Sequence, residues 1–60
     1  MTVRDLYINS NDEHTFILFE KGVSKPCFKG HLEYCPTEFM YRPIHKFRAI
    51  DFNMIEVILL

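Results

Sequence analysis

Residues 45–60, H-K-F-R-A-I-D-F-N-M-I-E-V-I-L-L, constrain this chain more than any other segment. Two apolar-rich runs flank Asp51-Phe52-Asn53. Asn tolerates the left-handed conformation that the last position of a three-residue hairpin loop needs. With these residues as the loop, Ile50 faces Met54, and Phe47, Ala49, Ile55, Val57 and Leu59 share one face. Arg48 then stands opposite Glu56 on the other face, where unlike charges attract. Turn chemistry and charge pairing select the same register, and a β-hairpin is expected here. Phe47 reads as a core residue whose truncation to Ala costs about 3–5 kcal/mol.

Sixty residues suffice for one domain, 1–60, of which folding buries only about 60% of the unfolded surface. The hydrophobic fraction of 48% suits a folded chain, and six Phe and three Tyr supply bulk to a small core. Net charge is -1 with the charges scattered, so neither a basic arm nor an acidic tail is present. Cys27 and Cys35 permit one internal disulfide, fewer than small secreted scaffolds usually carry. No signal-peptide core and no run near the ~20 apolar residues of a membrane span occurs. A cytoplasmic protein with reduced thiols and no membrane association is expected.

Toward the start, Thr2 is a good N-cap with Asp5 three residues on, a pattern like a capping box. A short helix over residues 2–8 places Val3, Leu6 and Tyr7 on one face. Asn9-Ser10-Asn11-Asp12 ends it with loop formers. Residues 14–21 read as a strand that is apolar on both sides, with Phe16 and Leu18 assigned inward. Residues 22–26 form a turn, and 27–33 a second strand whose core face holds Phe28 and Leu32. Pro36 at the first helical position and Glu38 open a second short helix. Phe39 and Met40 face the sheet, and Pro43 ends the helix. The order is αββαββ. It predicts an α+β fold, a four-stranded antiparallel sheet with two short helices packed on one face.

The metal-ligand types Cys27, His31 and Cys35, with His14 and His45 in reserve, invite a zinc reading. Strand geometry opposes it, since positions 27 and 31 of one strand lie roughly 13 Å apart. Asp12-Glu13-His14 resembles a ligand cluster only in composition. Neither cysteine sits in a nucleophile motif, and Gly22 and Gly30 are isolated, so no phosphate-cradling loop exists. No enzymatic activity, cofactor or metal is expected.

With Phe16, Leu18, Phe28, Leu32, Phe47 and Val57 facing the helices, the other sheet face carries two populations. Ile17, Phe19, Ile50, Met54 and Ile58 form a candidate apolar interface, and contiguous exposed apolar groups mark interaction sites. Lys29, Lys46, Arg48 and Glu56 are candidate register-setting charges. With His31 and Phe19, the three cations are alternatively contacts to nucleic acid. The leading expectation is a non-enzymatic protein-interaction module acting as a homodimer or docking on another protein. Strand addition at a free edge is a second route to association, and a small nucleic-acid-binding domain is the alternative.

T-V-R-D-L near the start, F-K-G-H-L-E-Y-C-P-T-E-F in the middle and A-I-D-F-N-M-I-E-V near the end carry a resemblance. Together they resemble small uncharacterised proteins of bacteriophages and mobile elements of Gram-positive bacteria. Gly30-His31-Leu32, Pro36 and Phe39 occupy the places of a Gly-x-Leu, a Pro and a short helix there, and Asp51-Phe52-Asn53 those of an Asp-x-Asn turn. The resemblance implies a cytoplasmic accessory protein, and its motifs are turns and core positions rather than catalytic ones.

Overall fold

The structure, a computed structural model, describes residues 1–10 and 13–60. Asn11 and Asp12, part of the expected loop and of the Asp12-Glu13-His14 cluster, lie outside the described residues. The elements are α1 (Val3–Asn9), β1 (Thr15–Glu20), β2 (Pro26–Gly30), a 3-10 turn (Leu32–Tyr34), α2 (Thr37–Met40), β3 (Ile44–Asp51) and β4 (Met54–Leu59). The α+β class and the αββαββ order are those read from the sequence.

The four strands form one sheet in the order β2-β1-β4-β3. Both hairpins are antiparallel, but β1 and β4 pair in parallel, so the sheet is mixed rather than antiparallel throughout. The cause is the segment between Gly30 and Ile44. It travels the length of the sheet before β3 begins, so β3 runs the same way as β2, and β4 the same way as β1. The two strands with near-continuous apolar sequence, TFILFE and MIEVIL, thereby lie side by side in the centre. Buried parallel strands characteristically read that way.

The helix-side face is built in rows across the strands. Phe28, Leu18, Val57 and Phe47 form one row, and Gly30, Phe16, Ile55 and Ala49 the next. Val3 and Leu6 of α1, Phe16, Leu18, Val57, Leu59 and Leu32 make the buried core, with Tyr7, Phe28, Phe39, Met40 and Ile44 packed against it. Phe47 departs from expectation. It lies on the helix side but remains 48% exposed on β3, an edge strand. The full core cost therefore does not apply to it.

The capping box forms as the sequence suggests. The Asp5 N–H donates to Thr2 Oγ1 (3.3 Å), and the Thr2 N–H donates to Asp5 Oδ2 (2.9 Å). The Thr2 hydrogen bonds hold the Asp5 carboxyl below its ordinary pKa. A lowered folded-state pKa supports stability above the unfolded value, and that support is lost as pH falls through the folded one. Thr2→Ala is expected to cost about 1 kcal/mol in a urea titration. The deficit should shrink in acid, where the protonated carboxyl no longer anchors the box; a deficit independent of pH would contradict this assignment.

Three local expectations need correction. The second strand ends at Gly30 rather than at residue 33, because Gly30 takes a φ of 151°, open to glycine and strained for other residues. Leu32 is buried from the 3-10 turn instead. Pro36 caps α2 rather than occupying its first turn. In the last hairpin Phe47, Arg48 and Ala49 pair with Val57, Glu56 and Ile55 as expected, but Asp51, not Ile50, pairs with Met54. Among the described residues no non-glycine has a positive φ, so Asn53 is not left-handed. The loop shortens to Phe52-Asn53, the Asp51 carboxylate accepts the Phe52 N–H (2.7 Å), and Ile50 becomes the extra residue of a bulge. A bulge supplies the right-handed twist that a turn without positive φ does not.

Candidate functional site

Helices cover one face of the sheet, and the opposite face is left open. Its rows follow from the strand register. Lys29, Ile17, Glu56 and Arg48 form one row across all four strands, and Pro26, Phe19, Ile58 and Lys46 the next. Thr15, Met54 and Asp51 make a third. The central strands contribute Ile17, Phe19, Met54 and Ile58, each half-buried by its neighbours. The edge strands contribute the cations. Four of the five expected interface residues are thus on one surface. Ile50 is not in their register, and from its bulge it is 43% exposed.

Glu56 sits in the middle of this face. Arg48 Nε donates to Glu56 Oε1 at 3.3 Å, the pair the sequence register called for. Only 24% of the Glu56 side chain is exposed, against 73% for Arg48, so the guanidinium covers the carboxylate from outside. Lys29 stands on the far edge, three strand spacings or about 14 Å from Arg48. The basic residues therefore flank the face and do not form a continuous stripe.

Two shallow hollows meet at Glu56 and Ile58. One, of about 270 Å³, is bounded by Lys46, Phe47 and Arg48. The other, of about 330 Å³, lies under the β1–β2 turn and is bounded by Phe19, Gly22 and Val23. Gly22 takes a φ of 82°, which lets that turn form. The sequence by itself carries no sign of the hollows, since they depend on which strands lie at the edges. It also carries no sign of the ion pair between Arg42 Nη1 and Glu20 Oε1 (2.9 Å), which ties the α2–β3 connection to the end of β1.

Of the metal-type residues, Cys27, Cys35 and His31 are held in hydrogen bonds, whereas His14 Nδ1 is buried with no hydrogen-bond partner among the described residues. The Cys27 thiol donates to the Leu18 carbonyl (3.4 Å) from a β2 bulge, and Cys35 Sγ donates to the Pro36 carbonyl (3.6 Å). His31 Nδ1 donates to the His14 carbonyl (3.1 Å), and the His14 ring meets Phe16 edge-on. Among the described residues no three His, Cys, Asp or Glu side chains converge. Burial raises the pKa of both thiols, and a charge on Cys27 raises that of Cys35 further. The two cysteines pack against the same core and are within electrostatic reach of each other. Raised thiol pKa values leave little nucleophilic thiolate at neutral pH.

Among the described residues no helix is long and apolar enough to cross a membrane. Comparison with known proteins returns no matching family model, no matching curated relative and no matching solved structure.

Proposed function

We propose that this chain is a non-enzymatic protein-interaction module that self-associates through the open face of its sheet, an accessory protein of the phage or mobile-element type it resembles. The observation that carries the proposal is the layout of that face. Ile17, Phe19, Met54 and Ile58 occupy its centre, and Lys29, Lys46 and Arg48 its rim. An apolar core inside a charged rim is the anatomy of a protein–protein interface. Glu56 does not spoil the centre, because its charge is already met by Arg48.

The size of the face sets the strength. Four strands about 4.8 Å apart and six residues of about 3.3 Å each outline about 400 Å². Counted on two copies and enlarged by side-chain relief, this reaches about 1,000 Å², the low end of specific interfaces. A weak, reversible dimer is expected.

Light scattering over a concentration series, at low and high salt, tests this. A dimer that forms with concentration and survives high salt is expected, as is its loss in Phe19→Asp or Ile17→Lys with native circular dichroism retained. A monomer at every concentration, or a Phe19→Asp variant with wild-type mass, would refute it. The alternative, binding of single-stranded nucleic acid by Lys29, Lys46, Arg48 and Phe19, predicts oligonucleotide affinity that falls steeply with salt. Against it, Lys29 lies on the edge opposite Lys46 and Arg48, so the cations form no continuous stripe for a phosphate backbone.

A further inference from the structure

We infer that the free edge of β3 is a docking strand for an extended partner segment that alternates acidic and apolar residues. From His45 onward β3 has a neighbour among the described residues only on its β4 side, and every residue from His45 to Asp51 is exposed. Such an edge offers unpaired backbone donors and acceptors to another strand. The opposite edge, β2, is poorly suited to this. It is five residues long, begins with Pro26, is bulged at Cys27 and ends at Gly30.

On β3 the bulges at His45 and Ile50 leave one regular ladder, Lys46 to Ala49. Within it the side chains alternate. Lys46 and Arg48 point to the open face, and Phe47 and Ala49 to the helix side. Arg48 engages Glu56 through Nε alone, and among the described residues its two terminal nitrogens have no partner. That unpaired fork suits a carboxylate. The hollow of about 270 Å³ opens beside Lys46 and Arg48 and has room for an incoming side chain. On the other face the half-exposed ring of Phe47 offers apolar contact that the helices do not supply. A strand laid along this ladder therefore meets two cations on one face and two apolar groups on the other.

A second copy of β3 is the wrong occupant. Antiparallel pairing about a twofold axis normal to the sheet sets Lys46 against itself, Lys46 against Arg48, or Arg48 against itself. Like charges directly opposite are destabilising. The mode itself is already present in the chain. Residues 1–3 lie antiparallel to residues 42–44, with Thr2 bridging Pro43. The Ile44 N–H donates to the Met1 carbonyl (2.8 Å), and the Val3 N–H to the Arg42 carbonyl (3.1 Å). This added strand lies just short of Lys46, where the free ladder begins. Docking here uses the backbone edge of β3, and it shares Lys46 and Arg48 with the rim of the open face.

The test uses a fluorescein-labelled peptide of alternating Glu and Val, read by anisotropy on the whole chain. Controls are an alternating Lys and Val peptide, a peptide with the same Glu and Val residues in two blocks, and the alternating peptide N-methylated on its backbone. Only the unmodified Glu-Val repeat should bind, with amide exchange slowed at residues 46–49. Lys46→Glu, which keeps the Arg48–Glu56 pair, should weaken binding. Lys46→Glu with Arg48→Glu should weaken it about tenfold and admit the Lys-Val repeat, as expected for two exposed pairs turned from attraction to repulsion. No binding of the Glu-Val repeat would overturn the inference. So would equal binding of the block or N-methylated peptide, because ion pairing without strand addition would then suffice.

Discussion

Replacing Phe16 by alanine is expected to unfold the domain. The ring is buried in a central strand, between Gly30 on one side and Ile55 on the other. Removing it leaves a cavity against Val3, Leu6 and the neighbouring strands, which costs about 3–5 kcal/mol. A chain of this length has a total stability of about 3–9 kcal/mol, so little or nothing remains. Circular dichroism in a urea titration should show no folded baseline, or a midpoint displaced far toward zero. A wild-type midpoint would show that the core is not where Phe16 places it. Phe47→Ala is the control in the same row system. About half of that side chain is already wet, so the loss should be about 1–2 kcal/mol and the fold should persist.

Val57→Asp is expected to be as damaging, with a pH signature that cavity formation lacks. Val57 is buried between Leu18 and Phe47 on the helix side of the sheet. A carboxylate fits the space but loses its hydration, at a cost of several kcal/mol when unpaired. Burial raises the folded-state pKa of the introduced acid above its unfolded value near 3.9. The native state then holds its proton to higher pH than the unfolded chain does, so stability falls as pH rises. The variant should be unfolded at pH 7 and recover, relative to wild type, toward pH 4. Equal damage at both pH values would mean that the side chain is not enclosed.

Much of this arrangement was legible in the residues because it is local. Thr2 and Asp5 are three apart, and the capping box needs nothing else. Arg48 and Glu56 face each other across a hairpin, and their charges fixed its register. What failed was what local chemistry does not determine. Asn53 tolerates positive φ without requiring it, and the hairpin met its twist with a bulge at Ile50 instead. Gly30 read as one residue within a strand, although its lack of a side chain is what allows the strand to end there. The parallel centre depends on the direction in which residues 31–43 cross the sheet, a long-range matter. A signal for strand order was nevertheless present: apart from Glu56 and the terminal Glu20, β1 and β4 are largely apolar on both faces, whereas β2 and β3 carry Lys29, Lys46 and Arg48, and charged strands belong at edges. The open face was legible as four residues out of five, the exception being the one the bulge displaced. Phe47 was misjudged because its facing follows from the register, whereas its burial depends on strand order, which puts β3 at an edge.

The parallel pairing of β1 with β4 also governs how the chain folds. Each hairpin is a local event of about 1–10 μs. Neither half holds a core by itself, since Phe16 and Leu18 come from one and Val57 and Leu59 from the other. The seam that joins them pairs Phe16 with Ile55 and closes a loop containing both hairpin turns and α2. Closing that loop must precede the stabilisation it brings, so seam formation is the slow step and the two halves gain their stability together. The chain is therefore a single cooperative unit assembled from two hairpins, and its folding rate is set in the middle of the sheet rather than at either turn.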